Sequence, residues 1–187
     1  MIRYRFRFAK DDNQGKGFVS SIESVKRMFA LNFELYTTSK GARFSFGPAL
    51  PFGWASESEY IDVIFKKREN EGFVRDIIEK NTPEGFRLIG FKTIPLYFPS
   101  VESATDIVEI EIETSDSVSE LFFDGGFDFI YDLRLNPKII NLLVYYKKAS
   151  RNILRGMIER IDLLLKIKKI TRKNLYWLDS YNRIRGF

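Results

Sequence analysis

The chain has 187 residues, a net charge of +5, and 44% hydrophobic and 16% aromatic residues, enough apolar material for a sizeable core in one domain or two small ones. It has neither cysteine nor histidine, which excludes disulfides, thiolate zinc sites, iron–sulfur clusters, cysteine nucleophiles, Ser-His-Asp triads and imidazole bases. Any catalysis would have to use carboxylates, lysine, tyrosine or a hard cation, and the residues alone name no reaction.

Residues 2–8 alternate strictly, with Ile2, Tyr4, Phe6 and Phe8 on one side and Arg3, Arg5 and Arg7 on the other. That period of two predicts a strand with one buried face and one wet or paired face. The charges interleaved there leave no continuous apolar stretch for a signal peptide, so a cytosolic protein is expected. After a polar loop at 11–17, Ser20 and Glu23 have the spacing of a capping box and open a helix whose stripe is Ile22, Val25, Met28, Phe29 and Phe33. Strands are predicted over 42–46 and 57–66, around a Gly/Pro-rich connection from Gly47 to Gly53. A short helix over 71–80 is stopped by Pro83 and Gly85, and a long strand over 86–98 follows.

The second half repeats this order more faintly. A strand over 105–113, a short helix over 115–122 and strands over 127–133 and 138–146 are expected, with a turn at Asn136-Pro137. Ser150 then caps a helix with Ile153, Met157, Ile161, Leu164 and Leu165 on one face, and a strand over 172–178 closes the set. The expected fold is α+β: two tandem ferredoxin-like (βαββαβ) halves packed together, with antiparallel sheets and helices on one face. The halves are residues 1–101 and 102–187, divided by Pro95, Pro99 and a change of charge near Glu102.

That change is abrupt. Residues 102–132 hold ten acidic residues and no basic one, whereas 133–187 hold fourteen basic residues against three acidic. Clustered Lys and Arg suit a polyanion partner; equally, the acidic segment can fold against the basic one. No apolar run reaches the roughly 18 residues of a membrane span, and no membrane partner is expected.

Several motifs define the stretch from Arg3 to Pro99: RYRFRFAK at 3–10, FVSSIESVKRMF at 18–29, SFGPALPFG at 45–53, ASESEYIDV at 55–63 and TPEGFRLIGFKTIPLYFPS at 82–100. This stretch resembles the radical SAM-linked protein family, a bacterial group. Its members often occur fused to, or encoded beside, a radical SAM protein, and some lie near ribosomal-protein and ribonuclease genes. The resemblance implies an accessory role around RNA or a radical enzyme. Two family histidines are missing: Ser20-Ser21-Ile22-Glu23 stands where the family commonly has Ser-His-Leu-Asp, and Ser39-Lys40-Gly41-Ala42 where it has a histidine-bearing segment. Those departures favour binding over catalysis.

The arginine stripe is the sharpest candidate site. Three guanidinium groups on one strand face lie roughly 6–7 Å apart, the phosphate spacing of an extended single strand. Glu109, Glu111 and Glu113 repeat with the same period and are the alternative partners. The loop from Lys40 to Ser56 adds Lys40 and Arg43 as phosphate contacts and Trp54 as a stacking ring, or else is a rigid connection whose Trp covers the core edge. Gly15-Lys16-Gly17 lacks the spacing of a phosphate loop. Asp124, Asp128 and Asp132 do not share one strand face, so no metal is expected, and no cofactor. The bases from Lys166 to Lys173, with Tyr176, Trp177, Arg183 and Arg185, interleave charge and aromatics in a way that suits single-stranded nucleic acid or a cationic helix end.

The leading expectation is a non-catalytic protein that binds RNA through Arg3, Arg5, Arg7, Lys40 and Arg43, with Trp54 as the stacking residue. The alternative is an accessory module that docks a radical SAM enzyme. A third reading, a histidine-free, metal-independent ribonuclease, rests on fold analogy to CRISPR repeat-processing endoribonucleases.

Overall fold

The computed structural model describes residues 1–11, 18–51, 53–118, 127–149 and 151–187, without the side chains of 18–21 and 151–153. The fold is mixed α+β, with antiparallel strand pairing and several helices. Two compact units divide the chain, Met1–Ala104 and Thr105–Phe187.

The first unit runs β1 (Ile2–Lys10), α1 (Phe18–Asn32), β2 (Thr37–Thr38), β3 (Gly41–Ala42), β4 (Phe44–Phe46), β5 (Ala55–Phe65), α2 (Glu71–Asn81), β6 (Phe86–Ile94) and α3 (Val101–Ala104). β1 lies between β6 and β5. β5 pairs with β1 on one edge and with β4 on the other, so the spatial order is β6-β1-β5-β4. β2 and β3 form a separate small hairpin.

Tyr4, Phe6 and Phe8 are fully buried and join Val25, Met28 and Phe29 of α1, Val74 and Ile78 of α2, and Ile61, Val63 and Phe65 of β5 in one apolar cluster. Phe6 lies 4.8 Å from Phe29 and Tyr4 4.8 Å from Phe65, centroid to centroid, distances at which tilted rings attract. Both helices therefore cover one side of β1, the side that its alternation marks as apolar. Asn70 caps α2, its side chain accepting from Phe73 N at 3.1 Å.

Three local expectations shift. α1 starts at Phe18, which puts Ser20 inside the helix instead of at its cap. The long strand ends at Ile94, because Pro95 has no N–H for the ladder and the chain turns instead, Phe98 N donating to Pro95 O at 3.1 Å. β5 begins at Ala55, two residues earlier than its sequence pattern suggests.

The second unit runs β7 (Ile107–Thr114), β8 (Ile130–Asn136), β9 (Ile139–Tyr145), α4 (Arg151–Leu165), β10 (Ile167–Leu178) and β11 (Ile184–Gly186). Its order is β10-β7-β9-β8, with β11 on β10. Buried residues pair in register across β7 and β9: Val108 with Val144, Ile110 with Leu142, and Ile112 with Ile140. On α4 the buried positions are Met157, Ile161 and Leu165, spaced by four. Leu164, expected on that face, is 62% exposed, because one residue before Leu165 is about 100° round the helix.

The helix expected over 115–122 does not begin at Ser115–Val118, and residues 119–126 lie outside the described set, as do Gly15-Lys16-Gly17 and Ser150. The two units differ in detail: the first carries the β2–β3 hairpin and α3, and the second carries β11. Among the described residues no helix is long and apolar enough to cross a membrane.

Candidate functional site

The arginine face of β1 faces inward. Arg3 and Arg5 are buried, and both hold Asp62, which is itself buried on β5. The strand register places Arg5 opposite Asp62. Arg5 grips it as a two-pronged fork, Nε to Oδ1 at 2.8 Å and Nη2 to Oδ2 at 2.9 Å, and Arg3 Nη2 reaches Oδ2 at 2.5 Å. Such bidentate, charge-assisted bonds are the strong and geometrically specific ones.

Backbone carbonyl oxygens also accept from the two guanidinium groups. Arg3 Nη1 donates to Phe98 O at 2.5 Å and Leu96 O at 3.4 Å, and Arg5 Nη2 donates to Pro99 O at 3.1 Å. The Arg5 guanidinium carbon also lies 6.0 Å from the Phe98 ring centroid, within cation–π range. Arg7 is half-buried; its Nε donates to Glu57 O at 2.7 Å and its guanidinium carbon sits 5.8 Å from the Tyr60 ring centroid.

The consequence lies at residues 95–100. After Pro95 the chain makes its turn, and Ser100 then caps α3 through Ser103 N at 3.2 Å. Between these ends the carbonyls of Leu96, Phe98 and Pro99 accept from the arginines. Leu96, Tyr97 and Phe98 are 49, 88 and 39% exposed. Three consecutive large apolar residues are thus partly or wholly exposed on a backbone bonded from within.

Arg3 and Arg5, which the sequence offers as phosphate contacts, are thus buried and paired with Asp62. The sequence pattern alone does not single out Asp62. Its sequence signal is a lone acid between Ile61 and Val63, on the face that β1 fills with arginine. Both its oxygens accept from arginine, so it is not set up as a general base. Trp54 is buried. Lys40 and Arg43 are exposed. Lys40 sits in the β2–β3 turn, its N–H donating to Thr38 Oγ1 at 3.3 Å, and Gly41 follows with φ +93°. Lys40 and Arg43 belong to a different part of the unit from the buried pair, and Arg7 reaches Glu57 O and the Tyr60 ring on β5.

Two of the acidic candidates have partners on β10. Glu109 Oε2 accepts from Asn174 Nδ2 at 2.7 Å and Tyr176 Oη at 2.6 Å, and Glu111 lies 3.7 Å from Lys173 Nζ. Asp128 is exposed, Asp132 Oδ2 accepts from Arg134 Nε at 3.0 Å, and Asp124 lies outside the described residues. Among the described residues no group of three or more carboxylates is placed to hold a metal ion.

A family model described as an uncharacterized protein conserved in bacteria, DUF2344, matches residues 39–134. The matched span includes Asp62 and the Leu96–Phe98 turn but not Arg3 or Arg5. No curated protein matches the chain.

Proposed function

Because the chain belongs to the DUF2344 family of bacterial proteins, a family without an assigned activity, we propose from its geometry that it is a non-catalytic docking module whose contact residues are Leu96, Tyr97 and Phe98. One observation carries this reading: the exposed apolar triplet is held on a backbone bracketed by Arg3, Arg5 and Asp62. Contiguous exposed apolar side chains mark interaction surfaces, and aromatics at a centre of contact dominate binding energy. A turn already fixed at both ends loses little further entropy on binding.

The partner is a radical SAM protein, in keeping with the resemblance of residues 3–99, and the complex acts in the cytosol. We read the strand orders β6-β1-β5-β4 and β10-β7-β9-β8 as two ferredoxin-like units, the frame that sets β1 and β5 side by side. The test mixes purified chain with a radical SAM protein encoded beside a family member and measures the mass of the species by light scattering after gel filtration. A 1:1 complex lost in Tyr97→Ser/Phe98→Ser supports docking. A complex unaffected by those changes, or no complex, overturns it.

A second reading, RNA binding, is favoured by Lys40 and Arg43, two exposed bases on one small hairpin. Binding through them would weaken steeply with salt and fall in Lys40→Glu/Arg43→Glu. Salt-insensitive or absent binding overturns it.

A further inference from the structure

The loop between β10 and β11 is organised by one carboxylate. β10 and β11 pair from Tyr176–Gly186 to Leu178–Ile184, which leaves Asp179 to Arg183 as the loop. Asp179 Oδ1 accepts from Tyr181 N at 2.9 Å and Arg183 N at 3.0 Å. Its Oδ2 accepts from Arg183 Nε at 2.9 Å and lies 3.1 Å from Arg185 Nη2. The backbone closes as well, Asn182 N donating to Asp179 O at 2.9 Å and Asp179 N to Arg183 O at 3.1 Å. Asn182 takes φ +56°, a conformation asparagine tolerates.

The result is a fixed display. The Arg183 guanidinium carbon sits 5.0 Å from the Tyr181 ring centroid, and Tyr181 is 77% exposed. Arg183 spends only Nε on Asp179, so its Nη groups have no partner among the described residues. Arg185 reaches the same oxygen. Two guanidinium groups against one carboxylate leave the loop net positive beside an open aromatic ring.

We propose that this loop is a nucleotide contact for single-stranded nucleic acid, with a base stacking on Tyr181 and its phosphate held by Arg183 and Arg185. The chemistry matches how such proteins bind without sequence preference: an aromatic platform beside cations that track the backbone, and arginine as the cation that both pairs with phosphate and stacks. The proposal extends the RNA reading to a site independent of Lys40 and Arg43.

The test is fluorescence anisotropy of a fluorescein-labelled ten-residue adenosine RNA with the full chain at low salt, beside the same backbone lacking bases. Wild type, Tyr181→Ala, Tyr181→Phe and Lys40→Glu/Arg43→Glu are compared after circular dichroism confirms folding. The expected result is a loss of about five- to hundredfold in Tyr181→Ala, near-wild-type affinity in Tyr181→Phe, and weaker binding of the abasic strand. Equal affinity of wild type and Tyr181→Ala overturns this site alone if Lys40→Glu/Arg43→Glu loses binding. Abasic strand binding as tightly as the RNA overturns stacking. No wild-type binding overturns this site and the RNA reading together.

Discussion

Arg5 and Asp62 face each other across β1 and β5 and are joined by two hydrogen bonds of 2.8 and 2.9 Å, with both side chains buried. Asp62 Oδ2 also takes Arg3, so one carboxylate bonds two guanidinium groups. Asp62→Ala would remove the carboxylate that both guanidinium groups bond inside the protein. Breaking a buried pair from one side costs about 3–5 kcal/mol. Urea denaturation should show a loss of that size, whereas Arg3→Met/Arg5→Met/Asp62→Leu, which removes all three charged groups together, should lose less.

The exposed turn should behave in the opposite way. Tyr97→Ser removes a side chain that is almost wholly in water, so stability should change by no more than about 0.5 kcal/mol. A thermal melt superimposing on wild type is the expected result, and it makes the docking test with this residue interpretable.

Gly41 offers a conformational test of the hairpin that carries Lys40. Its φ of +93° is disfavoured for residues with a Cβ, yet a Cβ added there would meet nothing within 4 Å. Gly41→Ala should therefore destabilise through backbone strain alone, by about 1–2 kcal/mol. Loss of the cross-strand amide contacts between Thr38 and Gly41 in NMR spectra would register it locally.

Asp179 supplies a pH dependence. The Arg183 backbone N–H holds its carboxyl below the ordinary 3.8, and the Tyr181 N–H and the two arginine side chains act in the same direction, against some desolvation. A carboxyl with a depressed folded value contributes its full stabilisation above its unfolded value and loses it as pH falls through the folded value. The β10–β11 loop should thus keep its amide shifts from neutral pH down to about 3.8 and change only below that. Asp179→Asn should remove the transition.

Much of the first unit is legible in the sequence because β1 is extreme: alternate aromatic and arginine residues admit only one periodicity, and the aromatic side is the core. The fate of the arginine side is not legible. An exposed phosphate track and an internal ion pair need the same alternation, and the partner that decides between them lies 57 residues from Arg5. On α4 the adjacent Leu164 and Leu165 cannot both continue the stripe of Met157 and Ile161, and the spacing by four selects Leu165. The mixture of bases and aromatics near the C-terminus is visible in the chain. That Asp179 gathers Arg183, Arg185 and Tyr181 into one loop depends on a hairpin closure that composition does not encode.

The central claim, that the β1 arginines act inside the protein to fix the turn bearing Leu96, Tyr97 and Phe98, is tested most directly at the Arg5 Nε proton. In a ¹⁵N-labelled sample at neutral pH its NMR signal should persist, because Nε is buried and bonded to Asp62 Oδ1, and it should not move when single-stranded RNA is added. A signal lost to rapid exchange with water, or one that shifts on titration with RNA, would contradict the account and return the stripe to the surface.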